Sequence, residues 1–121
     1  MKTIIMRDPV MESEGSRFPR VNLNYNEAKK EVDKLSGRLP TSSEYDRLFA
    51  IDPWPHIVCE WTSTTEGNRQ VIRGGWYGLA RFARSASRLV HRPGDRLGYV
   101  GFRLARDVPD DAPVPEGWIV I

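Results

Sequence analysis

Cysteine is nearly missing from this chain. Cys59 is the one thiol in 121 residues, which excludes an intrachain disulfide and any chemistry that needs two cysteines in one chain. Val58 and Trp61 beside it point to a buried, inert thiol. Histidine is almost as scarce: His56 and His91 are the only two, too few for an imidazole cluster, and a lone loop histidine is more often a surface residue than a metal ligand. The acids near Glu60, Glu66 and Asp95 do not form the alternating ligand loop of a calcium site. No metal and no cofactor is therefore expected. No apolar run is long enough to span a bilayer. Only Thr3-Ile4-Ile5-Met6 separates Lys2 from Arg7 and Asp8, so no signal peptide is read and synthesis in the cytoplasm is expected, with association with a virion left open.

Lysine is also unevenly absent, since all four lysines lie at or before Lys34. Residues 67–106 carry nine arginines against one acid, Asp95, while residues 107–121 hold four acids and no base. A basic stripe can serve nucleic acid, but such a surface usually mixes lysine with arginine. Arginine alone, repeated beside glycine and serine, ties loops together through its planar fork of donors. Arg73, Arg84, Arg88 and Arg103 are accordingly expected to be buried braces on backbone carbonyls or acids. Nucleic-acid binding through the stripe stays as an alternative.

What is present fits one domain, residues 1–121, with hydrophobic residues at 40%, enough to bury roughly 60 to 70% of the unfolded surface. Thr3 to Met6 reads as a strand, and Pro9 with the polar run Glu12 to Ser16 as a loop. Asn24 or Asn26 can cap a helix over about Glu27 to Ser36, with Ala28, Val32 and Leu35 as its apolar face and Gly37 as its left-handed stop. Thr41 and Glu44 form a capping box for a second helix that turns Tyr45, Leu48 and Phe49 inward, and Pro53 and Pro55 prevent its continuation. Ile57 to Thr64, Gln70 to Gly74 and Val100 to Ala105 are strand-like, with long irregular segments between, and Trp61 belongs in the core. Two helices followed by strands indicate an α+β domain.

From Arg73 onward, fixed punctuation alternates with chemically mixed contents: Arg73-Gly74-Gly75, Arg84-Ser85-Ala86, Arg88, Pro93 and Val100-Gly101-Phe102-Arg103. Such a frame suits a surface of interchangeable residues. Tyr77, Phe82, His91 and Tyr99 supply aromatic area, to which Tyr77, His91 and Tyr99 add polar tips, the composition of adaptable binding surfaces. Leu89, Val90 and Leu97 add apolar area that is either contact surface or core.

Taken in order, Gly37-Arg38-Leu39-Pro40-Thr41, Glu44-Tyr45, Glu60-Trp61-Thr62-Ser63, Arg73-Gly74-Gly75, Arg84-Ser85-Ala86 and Gly101-Phe102-Arg103-Leu104 make a series that resembles the formylglycine-generating-enzyme type of the C-type lectin fold. The resemblance covers roughly Val21 to Arg106. It implies two helices with short antiparallel sheets and long loops. Some members oxidise a sulfatase cysteine using a cysteine pair, and others bind iron through histidines; neither set exists here, so no enzyme activity is expected, a degenerate or metal-dependent oxidase being the alternative. The other branch holds the variable proteins of diversity-generating retroelements, carried by viruses and microbes. Their adenine-directed mutagenesis of Asn codons cannot yield Lys, Glu, Gln, Met or Trp, and none of these five occurs from Tyr77 to Tyr99. Trp76 directly follows Arg73-Gly74-Gly75, where that family commonly has a small residue first. The resemblance implies a non-catalytic ligand-binding protein with Tyr77, Gly78, Phe82, Leu89, Val90, His91, Arg92, Leu97, Gly98 and Tyr99 on the binding face. Trp61, Arg73, Gly74, Gly75, Arg84, Arg88, Gly101, Phe102 and Arg103 would form the framework. The implied target is a macromolecule, a protein or glycan on a host cell, with no membrane partner.

Overall fold

The first strand already shows why the chain folds as it does. In β1 (Lys2–Met6) the adjacent Ile4 and Ile5 are both buried; neighbouring strand residues point to opposite faces, so this strand is covered on both sides. It is central in an antiparallel sheet, between β6 (Ala105–Val108) and β7 (Trp118–Val120), in the order β6-β1-β7. Along the chain, two helices, α1 (Tyr25–Lys34) and α2 (Ser42–Ile51), follow β1 and precede the strands of a second, four-stranded sheet. That sheet contains β2 (Cys59–Glu66), β3 (Arg69–Arg73), β4 (Arg88–His91) and β5 (Val100–Gly101), in the order β4-β3-β2-β5. All its pairings are antiparallel except β2 with β5. The computed structural model describes residues 1–52, 58–74 and 88–121. The architecture is α+β, and no helix among the described residues is long and apolar enough to cross a membrane.

Both helices begin where local side chains satisfy the free N–H groups of the first turn. Asn24 Oδ1 accepts from the Glu27 N–H at 2.8 Å and Glu27 returns the bond to the Asn24 N–H at 3.0 Å. Thr41 and Glu44 repeat the arrangement at 3.1 and 2.8 Å. Capping boxes of this kind need no tertiary partner. Ala28 and Val32 of α1, and Tyr45, Leu48 and Phe49 of α2, are buried as their spacing requires.

The end of α1 differs from expectation. Leu35 is 45% exposed, and the left-handed residue is Ser36, at φ 57°, rather than Gly37. The Gly37 N–H donates to the Val32 carbonyl at 3.1 Å and the Ser36 N–H to the Asp33 carbonyl at 3.4 Å, the paired bonds of a Schellman ending. Gly37 is needed for proximity: a Cβ there would lie 2.7 Å from Leu104 Cδ2 and 3.2 Å from the Ala105 carbonyl.

The expected strand Val100 to Ala105 is broken in two. Residues 102–104 carry the chain from one sheet to the other, and their carbonyls bond elsewhere, Phe102 accepting from the Val10 N–H at 2.9 Å and Leu104 from the Met6 N–H at 3.1 Å. The other expected strands lie two and one residues further on and further back, respectively, as β2 and β3; Ile57 lies outside the described residues. Strands β4 and β7, unexpected from the sequence, are short pieces whose pairing is tertiary.

Two apolar clusters hold the layers. Trp61 and Phe102, both 0% exposed, anchor one under α1; Tyr45, Leu48 and Phe49 of α2 pack with Ile5, Ala105 and Ile119 in the other. Trp61 donates its indole N–H to the Leu23 carbonyl at 2.9 Å, so its polar edge is satisfied inside the core. Between Trp61 and Thr65 the β2–β3 register shifts. There the buried side chains of Thr62 and Gln70 replace ladder bonds, donating to the Val71 and Thr62 carbonyls at 2.8 and 3.2 Å.

Candidate functional site

The expected framework contains a fully buried ion pair, Arg103 with Glu60. Arg103 is fully buried, and its hydrogen bonds include Nε and Nη2 to the two Glu60 carboxylate oxygens at 2.5 and 2.6 Å and Nη1 to the Met6 and Arg7 carbonyls at 2.9 and 2.7 Å. Tyr45 donates its hydroxyl to Glu60 Oε1 at 2.7 Å. Burial and the Glu60 charge hold the Tyr45 phenol well above its ordinary pKa. For Arg103, burial opposes the charge but Glu60 outweighs it, raising its pKa. One side chain thus ties β1 to β2 and to the crossing segment 102–104. Glu60 and Tyr45 are buried partners of Arg103 that the sequence reading did not assign; their separation of 15 residues carries no local signal.

Arg73 is also a buried brace. It donates to the Ser42 carbonyl and hydroxyl at 3.0 and 2.9 Å and to Asp46 at 2.7 Å, joining β3 to the start of α2. Arg88 corrects the expectation: its side chain is 46% exposed and pairs with the exposed Glu66. It sits at the start of β4, opposite Arg73 at the end of β3, and its side chain stays at the surface. Gly74 adopts φ 104° and is therefore favoured as glycine. A Cβ on Gly101 would meet the Arg20 carbonyl at 2.9 Å. Gly75 and Arg84 of the framework, and Tyr77, Gly78 and Phe82 of the candidate face, lie outside the described residues.

The remaining candidates fall on β4 and on the segment after it. Leu89 pairs with Ile72, which pairs with Trp61, so Leu89 and, two residues on, His91 project from the face that carries the Trp61 cluster. Val90, opposite Val71, projects from the other face. Leu97 and Tyr99 are partly buried against the Trp61 cluster, whereas Arg92 and Gly98 are exposed and Leu89 is 38% exposed. His91 lies between two partners, Asp95 at 3.5 Å from Nδ1 and the Tyr99 hydroxyl at 3.4 Å from Nε2. Burial, with the nearby Cys59, raises the Tyr99 phenol pKa. The structure therefore brings Leu89, His91, Leu97 and Tyr99 to one side and leaves Val90 on the other.

Main-chain bonds hold this segment in place. The Asn22 N–H donates to the Leu97 carbonyl at 3.1 Å, Tyr25 N–H to Pro93 at 3.0 Å, and Cys59 N–H to Tyr99 at 3.1 Å; within the segment Asp95 N–H donates to Arg92 at 3.1 Å and Val100 N–H to Leu97 at 3.3 Å. One side chain joins them. Arg96 grips both Glu27 oxygens at 2.8 and 2.6 Å, and with the Asn24 backbone bond this holds the Glu27 carboxyl down at about 2. A Cβ built on Gly98 or Gly94 meets nothing within 4 Å, and neither residue has a left-handed φ.

No protein-family model matches this chain, and no curated protein matches it. Its chemistry must be read from the side chains. Among the described residues no group of three or more His, Cys, Asp or Glu is arranged to hold a metal ion. The Cys59 thiol is buried, and burial together with the adjacent Glu60 charge pushes it up to about 12, so it stays protonated at neutral pH and is a poor nucleophile.

Proposed function

We propose that this chain is a non-catalytic binding module with the formylglycine-generating-enzyme type of C-type lectin fold. In this reading it is a variable protein of a diversity-generating retroelement, whose segment from Tyr77 to Tyr99 presents interchangeable side chains to a protein or glycan on a host cell. The observation that supports this most directly is the way residues 92–99 are anchored. Alongside the Arg96–Glu27 pair and the packing of Leu97 and Tyr99, they are anchored by bonds from the Asn22, Tyr25 and Cys59 N–H groups to backbone carbonyls, which any residue supplies, while Gly98 has open space where a side chain would go. Contact residues held this way can change without moving the chain. The arginine stripe supports the same reading over nucleic-acid binding, because Arg73, Arg88, Arg96, Arg103 and Arg106 all spend donors within the molecule. The inert Cys59 thiol supports binding over oxidation.

Two tests bear on it. The genome of origin should contain, beside a reverse transcriptase gene, a near-copy of the DNA encoding Tyr77 to Tyr99 with Asn codons at the differing positions. A library randomised at Tyr77, Leu89, Val90, His91, Leu97, Gly98 and Tyr99 should yield mostly protease-resistant, folded members. A library in which most members fail to fold would make these residues core and overturn the reading.

A further inference from the structure

A groove away from the segment 92–99 has features that the proposed function does not use. It has a volume of about 450 Å³ and lies between the segment following β1, the end of α1 and β7, with Met11, Leu35, Leu104 and Trp118 as apolar lining and Asp8 and Glu116 among its polar residues. Leu35 is one of the few large apolar side chains left nearly half exposed. Neither Asp8 nor Glu116 forms a salt bridge among the described residues. The one cation among the described residues that line the groove is already committed. Arg106 donates to the Ser36 and Leu35 carbonyls at 3.0 and 2.9 Å and stacks on Trp118 at 4.6 Å, filling the cation position at the C-terminal end of α1. Two carboxylates therefore line a largely apolar groove without a direct ion pair among the described residues, the buried Arg103 charge acting on Asp8 from a distance.

The edge of β7 adjoins the same groove. Its bonds to β1 use alternate residues: the Arg7 N–H donates to Gly117 at 2.9 Å and the Ile121 N–H to Thr3 at 3.0 Å, in register with the Ile5 and Ile119 pair. By the alternation of an antiparallel ladder, the Val120 N–H and C=O and the Trp118 C=O point away from β1. β7 is the last strand of its sheet among the described residues, and Val120 is 44% exposed. The opposite edge, β6, is covered at Ala105, which exchanges two backbone bonds with Arg38 at 2.8 and 2.9 Å.

We propose that β7 and this groove form a docking site for an extended, basic segment of a partner protein. The segment adds as a strand to the outer edge of β7, places a large apolar side chain beside Trp118 and Leu35, and sets a Lys or Arg one or two residues away against Asp8 and Glu116. Strand addition supplies main-chain bonds and the groove supplies selectivity. The charge of the site decides its occupant: carboxylates without a direct ion pair repel acidic segments, and a neutral segment would desolvate them with nothing in return.

The experiment is selection of a random linear-peptide display library against the intact chain, followed by affinity measurement with the synthesised winners. Enriched peptides should carry Lys or Arg within two residues of an aromatic or large aliphatic residue. The Asp8→Asn, Glu116→Gln double variant should bind them about three- to tenfold more weakly, as expected for two exposed ion pairs, and should lose most of the salt dependence. Val120→Pro, which removes an outward N–H and no bond to β1, should weaken binding while leaving the thermal melt of the free chain close to that of the parent. Enrichment of acidic peptides, no enrichment, or affinity unchanged in both variants overturns the proposal. So does self-association through β7, seen as a dimer in sedimentation that Val120→Pro abolishes, because the occupant would then be a second copy.

Discussion

Residues 89–99 and residues 100–104 are neighbours in the chain and opposites in what they demand of their side chains. In the second stretch every identity is used. Gly101 leaves room for the Arg20 carbonyl, Phe102 is fully buried, and Arg103 spends its fork on Glu60 and on two carbonyls of the segment at the end of β1. In the first, most of what locates the chain is main-chain bonding, and Arg92, Gly94 and Gly98 are exposed. A framework is therefore recognised by side chains that complete bonds or fill contacts, and a candidate display segment by backbone that is satisfied without them.

Breaking the framework side should have the largest effect. Arg103→Ala leaves Glu60 charged and buried, and should destabilise the fold by about 3 to 5 kcal/mol, the cost of removing one partner of a buried pair; chemical denaturation measures it. A loss under 1 kcal/mol would mean that water replaces the guanidinium. Gly101→Ala is next. With a backbone carbonyl at 2.9 Å from the new Cβ, the chain itself must move, and roughly 1 to 3 kcal/mol should be lost, as in overpacked cores.

Acid titration sharpens the bidentate Arg96–Glu27 contact, which ties the segment 92–99 to α1. Arg96 and the Asn24 N–H keep Glu27 at about 2, below its ordinary value of 4.5. A lowered folded pKa means that the contribution is fully present above the ordinary pKa and is lost as pH falls from about 4.5 through about 2. Glu27→Gln should flatten that part of the stability profile, and amide exchange in residues 92–99 should rise first in the parent as the acid is added. An unchanged profile would remove the ion pair from the account.

The smallest effects belong to the candidate face. Gly98→Ser, and Arg92→Ser, should each shift unfolding free energy by no more than about 0.5 kcal/mol. Arg88→Ala should also stay within about 1 kcal/mol, because its pair with Glu66 is exposed. A large loss at Gly98 would erase the contrast between the two stretches.

Local pattern made much of this molecule legible. Thr41 and Glu44 are three residues apart, and a capping box acts within one helical turn, so the start of α2 could be read directly; for α1 the sequence left Asn24 and Asn26 as alternative caps and a start near Glu27, and the structure has Asn24 as the cap and a start at Tyr25. The burial of Ala28, Val32, Tyr45, Leu48 and Phe49 follows from helical spacing, and that of Trp61 from its size and strand context. The scarcity of cysteine and histidine bounded the chemistry before any fold was known. Tertiary structure alone decided the rest, because those features depend on what comes near from far along the chain. Leu104 and the Ala105 carbonyl approach Gly37, so the glycine serves close contact and Ser36 takes the left-handed turn. Glu60 and Tyr45 meet Arg103 only once two sheets and a helix have assembled, and Arg88, read as a brace from the same residue type, ends at the surface. Residue type states which bonds a side chain can make; only the assembled neighbours decide which of them it makes.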